Sequence, residues 1–168
     1  MKYDIIGDIH GCSQTLEKLL QKLEYSRGSD EVYQRPDRTA IFLGDFIDRG
    51  PFQREVLSIV MPMIDSGYAK SVMGNHEYNA VAYATPGERS GEHLRCHSQN
   101  NTKQHKEFLD AYADDQVAYS DVIEWFKTLP LWLDLGDIRI IHACWDREII
   151  RKIGSPVLTD ELLHASCN

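Results

Sequence analysis

An α/β fold built on a parallel sheet follows from three features of this chain. Apolar, strand-like segments at residues 3–6, 40–43 and 69–73 alternate with helical patterns. Such alternation pairs strands in parallel through right-handed crossovers. Each segment runs into a short polar motif containing glycine: Asp8-Ile9-His10-Gly11, then Gly44-Asp45-Phe46-Ile47-Asp48-Arg49-Gly50, then Gly74-Asn75-His76-Glu77. A fourth apolar run, residues 138–141, leads into His142. The arrangement gathers these polar groups at the carboxyl edge of one sheet, where open α/β sheets bind ligands.

The remaining elements follow in order. Ser13 is the expected cap of the first helix, with Leu16, Leu19, Leu20 and Leu23 as its buried face. Residues 25–38 form a polar connection, a loop or short hairpin. Pro51 stands where a helix often begins; Val56, Leu57, Ile59, Val60, Met63 and Ile64 supply its apolar side, and Gly67 stops it. Residues 75–85 turn helical again. Residues 86–104 lose periodicity and read as a surface excursion over the site edge, the whole of 85–117 being cap-like. Helices are expected at 108–112 and 122–129, the second ending before Pro130. Residues 131–135 and 138–141 make a hairpin across Gly136-Asp137, and a short helix or two follow Trp145.

A length of 168 residues is that of a single domain, 1–168, able to bury roughly two thirds of its unfolded surface. The formal net charge of −8 argues against nucleic acid or an anionic membrane as partner. An anionic substrate is still admitted, because bound divalent cations reverse the local field. Cys12, Cys96, Cys144 and Cys167 form no C-x-x-C pair, as reduced thiols of a cytosolic protein would not. The chain enters its first strand at once and has no apolar run long enough for a bilayer, so a soluble, cytoplasmic protein is expected.

The motifs carry metal chemistry. Asp8 and His10, two apart, leave an extended segment on the same side. One carboxylate with one imidazole suits Mn, Fe, Zn or Ni better than Ca or Mg. Taken alone, a capping Asp beside a surface His is the plainer reading. Asp45 changes that balance, since its two oxygens can bridge two cations, which two-metal hydrolases hold roughly 3.5–4 Å apart. A hydroxide between the ions would then be the nucleophile, and no serine or cysteine is placed to replace it. Asn75 offers a neutral amide oxygen to the second ion. His76, its immediate neighbour, is better used as proton donor to the leaving alkoxide, oriented by Asp48. Arg49 supplies a planar fork for phosphoryl oxygens. Glu77 is either a salt-bridge partner for Arg49 or a solvated first-turn residue. His142, emerging from a buried strand at the same edge, reads as a further ligand.

These blocks resemble the signature of the calcineurin-like metallophosphoesterases. The Asp-Arg-Gly and Asn-His-Glu forms are similar to the branch of serine/threonine protein phosphatases and bacterial symmetrical diadenosine tetraphosphatases. The resemblance runs from Met1 to about Trp145 and implies an αββα sandwich. It implies that Asp8, His10 and Asp45 hold the first metal, and Asp45, Asn75 and His142 the second. Asp48 with His76 would be the acid pair, and Arg49 the phosphate contact. The family pattern closes with a later Gly-His block; here the only later histidine is His164, in a helical context without glycine. The chain therefore resembles a shortened member with an incomplete second sheet.

Within the excursion, Arg89, His93, Arg95, His97, Lys103, His105 and Lys106 gather, either as a solvated loop or as a cap meeting parts of a substrate. His93 and His97 have helical i, i+4 spacing but no third ligand nearby. Tyr78, Tyr83 and Tyr112 are expected to pack rather than stack a base. The function expected is phosphoester hydrolysis with two divalent ions, manganese foremost. The substrate would be a small phosphoester, a nucleotide or a phosphoprotein, with His76 as general acid. The alternative is a truncated, catalytically weak domain that binds metal or phosphate and acts by interaction, or has no function of its own.

Overall fold

A computed structural model of the protein describes residues 2–87 and 91–167. β1 (Lys2–Ile6) is followed by α1 (Ser13–Lys22), a small antiparallel pair β2 (Ser26–Arg27) and β3 (Tyr33–Gln34), and β4 (Arg38–Phe42). Then come α2 (Gln53–Asp65), β5 (Ala69–Ser71) and four helices: α3 (Asn75–Ala84), α4 (Gln99–Gln104), α5 (Lys106–Ala111) and α6 (Gln116–Thr128). The antiparallel hairpin of β6 (Trp132–Asp134) and β7 (Arg139–Ile141) precedes α7 (Arg147–Ile153) and α8 (Asp160–Cys167).

The main sheet has the order β1-β4-β5, and both pairings are parallel. Its register sets Ile6 against Phe42 and Phe42 against Ser71, so all three strands end level. That level edge is what brings the three motif loops together. β4 is central, and Ala40, Ile41 and Phe42 are fully buried. Alternate residues of a strand face opposite sides, and the two sides have different covers. Ala40 and Phe42 join the larger core with Leu20 of α1, Val56, Leu57, Val60 and Met63 of α2, and Phe126 of α6. Ile41 turns the other way and, with Val72, meets Ile140 and the half-buried Leu133 of the β6–β7 hairpin. The hairpin is thus a second, two-stranded layer. On its side of the main sheet Ile5 remains 50% exposed, beyond the reach of the two hairpin strands. Each fully buried leucine or phenylalanine contributes roughly 1.5–3 kcal/mol, so the helix-covered face holds most of the fold's apolar stabilisation.

Local details depart from expectation in three places. Ser13 is the first residue of α1 rather than its cap, and no side-chain bond caps that helix. Leu16 and Leu20 are buried but Leu19 is 36% exposed, because it lies at the rim of the apolar stripe. Residues 86–104 are not all irregular, since Ser98 caps α4 by accepting from the Asn101 N–H at 3.2 Å. Arg89 lies outside the described residues. Among the described residues no helix is long and apolar enough to cross a membrane.

Candidate metal centre

The site is assembled by backbone before side chain. The loops after β1 and β4 are zipped together: Ile9 and His10 N–H both donate to Asp45 O, at 3.0 and 2.9 Å. Gly11 N–H reaches Phe46 O at 2.8 Å, and Gly50 N–H returns to His10 O at 3.0 Å. His10, Asp45, Asp48 and Arg49 all have positive φ, between 46° and 67°. Non-glycine residues held there cost of order 1–3 kcal/mol each and persist only where the surroundings enforce them. Gln53, fully buried at the start of α2, provides part of that enforcement. Its Oε1 accepts from Asp48 N–H at 2.8 Å and its Nε2 donates to Gly50 O. Gly74 has a different reason for being glycine, since a Cβ there would overlap Asp45 N and Oδ1.

On this frame the predicted ligands converge. His10 Nε2 lies 3.7 Å from Asp8 Oδ2 and 3.7 Å from Asp45 Oδ2. His142 Nε2 lies 3.5 Å from the same Asp45 oxygen and 3.0 Å from Asn75 Oδ1. Donors about 2.0–2.2 Å from a shared tetrahedral ion sit roughly 3.3–3.6 Å apart, and the 3.0–3.7 Å spacings here lie in and just to either side of that range. The hydrogen-bond pattern agrees. His10 Nδ1 donates to Ile47 O at 2.8 Å, and His142 Nδ1 donates to Leu43 O at 2.7 Å. Carbonyls on Nδ1 leave Nε2 of a neutral ring as the lone-pair atom, the usual tautomer of a ligating histidine. His10 Nε2 is buried with no hydrogen-bond partner. In the Nδ1–H tautomer, His142 Nε2 sets its lone pair against the amide oxygen of Asn75, which a cation between them would resolve. Asp8, Asp45 and His142 form one group of candidate ligand atoms, and His10, Asp45 and His76 another. The residues fit divalent metal.

Beside the ligands, Asp48 is buried and holds two histidines. His76 Nδ1 is 2.6 Å from its Oδ2, and His105 Nδ1 is 2.8 Å from its Oδ1. Burial pushes the Asp48 carboxyl up, but the bonds from His105 and His76 outweigh it and hold it below the usual range. Asp48 in turn raises the His76 pKa, against burial, which lowers it. The His76 backbone N–H also donates to Asp45 Oδ1 at 3.0 Å, tying the acid candidate to the carboxylate at the centre of the cluster. His105 was not among the candidate site residues. It arrives from the α4–α5 junction, 57 positions from Asp48, and only its place in a charged stretch marked it.

Neither use expected of Glu77 is realised. Its side chain is fully buried, with Oε2 accepting from Asp45 N–H at 2.7 Å and Gly74 N–H at 3.0 Å, and Oε1 from Phe46 N–H at 2.8 Å. Burial first, then the Asp45 charge, push its carboxyl up to about 7 against those three bonds. Arg49, left exposed, lines a cleft next to His76. His93 and His97 stack ring on ring at 4.0 Å, and His97 Nε2 bonds Tyr83 O at 2.8 Å; they belong to no candidate metal group among the described residues. His164 Nδ1 bonds Asp160 O within α8. Tyr83 and Tyr112 are buried, as packing requires.

A parallel sheet whose carboxyl edge presents this donor set defines a metallophosphoesterase scaffold. The profile of the calcineurin-like phosphoesterases matches residues 1–163, and the chain belongs to that family. Members act with divalent metal ions. A protein of Oceanobacillus iheyensis named asymmetrical bis(5'-nucleosyl)-tetraphosphatase PrpE is 32% identical over 154 residues, 90% of this chain and 60% of that protein. Its namesake in Bacillus velezensis is 33% identical over 146 residues, 85% of this chain and 56% of that protein. The chain thus spans about 60% of the length of the curated relatives it matches, and their designation is asymmetrical rather than symmetrical. Among solved structures, a cold-active protein-tyrosine phosphatase of a psychrophilic Shewanella superposes with a TM-score of 0.60 at 20% identity. That match covers 99% of this chain and 50% of the other, and it speaks for the fold.

Proposed function

We propose that the protein hydrolyses phosphoester or phosphoanhydride bonds in nucleotide substrates, with dinucleoside polyphosphates as the leading class. The observation that carries this reading is the convergence of the His10 and His142 Nε2 lone pairs on Asp45, next to the Asp48–His76 pair. Two divalent ions, manganese foremost for this mixed oxygen and nitrogen set, would supply Lewis-acid polarisation and water activation. Asp8, His10 and Asp45 would hold one, and Asp45, Asn75 and His142 the other. His76 holds a proton for the leaving oxygen, and Asp48 fixes the ring through Nδ1 and keeps it basic. Arg49 meets the charge on the phosphoryl oxygens. The names of the relatives support the substrate class.

The test is turnover by metal-stripped protein with added Mn²⁺ on a panel of dinucleoside polyphosphates, nucleotides, phosphopeptides and phosphomonoesters. Activity dependent on metal is expected, strongest on the nucleotide polyphosphates. His76→Asn should slow it by roughly two to four orders of magnitude with metal content nearly unchanged. Asp45→Asn should lose both ions. Equal metal stoichiometry in the two variants would overturn the division into acid and ligand. No metal-dependent turnover, with the fold intact by circular dichroism, would leave a metal- or phosphate-binding domain instead.

A further inference from the structure

Next to the ligand cluster lies a cleft of about 470 Å³. Arg49 and His76 form the wall nearest the reacting centre, Asn79 of α3 continues it, and Lys103, Gln104 and Glu107 close it from α4 and α5. The informative residue stands behind that wall. Arg95 donates from Nη1 to Asn79 Oδ1 at 2.9 Å and from Nη2 to Gln104 Oε1 at 3.1 Å. Its own backbone N–H is pinned to Ala82 O at 2.9 Å. A guanidinium has donors only, so the amide atoms it meets must be oxygens. Asn79 and Gln104 are thereby left with their NH₂ groups as the polar atoms not held by Arg95. The wall therefore presents a guanidinium, an ammonium, an imidazole and the NH₂ groups of Asn79 and Gln104, with the amide of Asn75 at its metal-site end and the single carboxylate of Glu107 opposing them. Donors concentrated in this way complement an oxyanion of more than one charge.

We propose that this cleft binds the non-reacting phosphates of a nucleoside polyphosphate, with Arg95 as the positioning residue that turns two amides into donors. The words "non-reacting" rest on the phosphoesterase reading above; the anion site itself does not. Arg49 and His76 belong to both the cleft and the reacting centre, so a bound anion there is contiguous with the phosphoryl group attacked. A substrate with phosphates on both sides of the scissile bond uses the cleft. A simple monoester leaves it without a phosphate.

Two variants and two readouts test this. Lys103→Met removes an exposed cation, and Arg95→Lys keeps the charge but cannot span both amides with one ammonium. The first readout is calorimetric binding of diadenosine tetraphosphate to the full chain in excess EDTA, where each variant should bind about tenfold more weakly than wild type. The second, with Mn²⁺, is the ratio of kcat/KM for diadenosine tetraphosphate to that for 4-nitrophenyl phosphate. It should fall about tenfold in both variants, through KM. No binding by the wild type in EDTA, variants that bind as wild type does, or an equal fall on both substrates would each overturn the cleft. Binding that depends on Lys103 and Arg95 in a protein that hydrolyses neither substrate would overturn the phosphoesterase reading and leave the cleft standing.

Discussion

Both oxygens of Glu77 are spent on backbone: Asp45 and Gly74 N–H on one, Phe46 N–H on the other. Glutamine has one oxygen where the carboxylate has two, so Glu77→Gln sets an NH₂ against an N–H in a fully buried place. A loss of roughly 2–3 kcal/mol is expected, read as a fall of roughly 4–12 °C in the melting temperature of the metal-free protein. An unchanged melt would mean that these bonds contribute nothing net. His105 calls for a different readout. His105→Ala leaves Asp48 with His76 as its one imidazole partner, so turnover should drop roughly tenfold in kcat, with KM little altered. His105→Asn places an amide N–H near the lost Nδ1–H and should recover much of it. These two residues also mark the limit of what the sequence discloses. Asp8, His10, Asp45, Asn75 and His76 are legible because each stands in a contiguous motif beside glycine and a strand. Glu77 is in such a motif, yet its partners depend on how closely the β4 loop approaches α3. His105 and Gln53 act through contacts set by tertiary approach, which no local pattern encodes.

At the scale of elements, the level strand ends were foreseeable, because three apolar runs each break into polar residues at the same relative point. What locks β1 to β4 at the opposite end was not. Arg38 donates from Nε to Asp4 Oδ2 at 2.6 Å and pairs with its other oxygen, while Tyr25 OH donates to Oδ2 at 3.2 Å. The Arg38 bond outweighs burial and holds the Asp4 carboxyl below its ordinary value of 3.8. Such a carboxylate stabilises the fold fully above that ordinary value and loses its contribution as pH falls through the depressed one. Asp4→Asn is therefore expected to lower stability by about 1–2 kcal/mol at neutral pH. It should also flatten the acid limb of melting temperature below about pH 5. Parallel acid limbs in the two proteins would remove Asp4 from the account. The short helix α4 shows why other elements went unread. Its six residues, Gln99 to Gln104, bury no side chain, so no apolar stripe exists to reveal it, and only Ser98 marks its start.

Over the whole molecule, the candidate ligands come from the ends of both layers. Asp8, Asp45 and Asn75 follow the three strands of the main sheet, while His142 follows β7 of the hairpin and donates to Leu43 O at 2.7 Å. Metal bound there would tie the hairpin to the main sheet and would give His10 Nε2 the partner it lacks among protein groups. Binding to the folded state alone raises stability by about 2.7 kcal/mol at a hundredfold excess over Kd, or roughly 5–11 °C in melting temperature. Mn²⁺ should therefore raise the melt of wild type, EDTA should reverse it, and Asp45→Asn should abolish the response. The two sites should not be equal. Asp8, His10 and Asp45 bring two carboxylates and an imidazole, whereas Asp45, Asn75 and His142 bring one carboxylate, a neutral amide and an imidazole. With Asp45 shared, the second set adds no negative charge of its own, so a calorimetric titration of metal-free protein should resolve one tight and one weak site. His142→Ala should remove the weak step and keep the tight one. Two equally tight sites, or loss of the tight step in His142→Ala, would mean that the ligands divide between the ions in some other way.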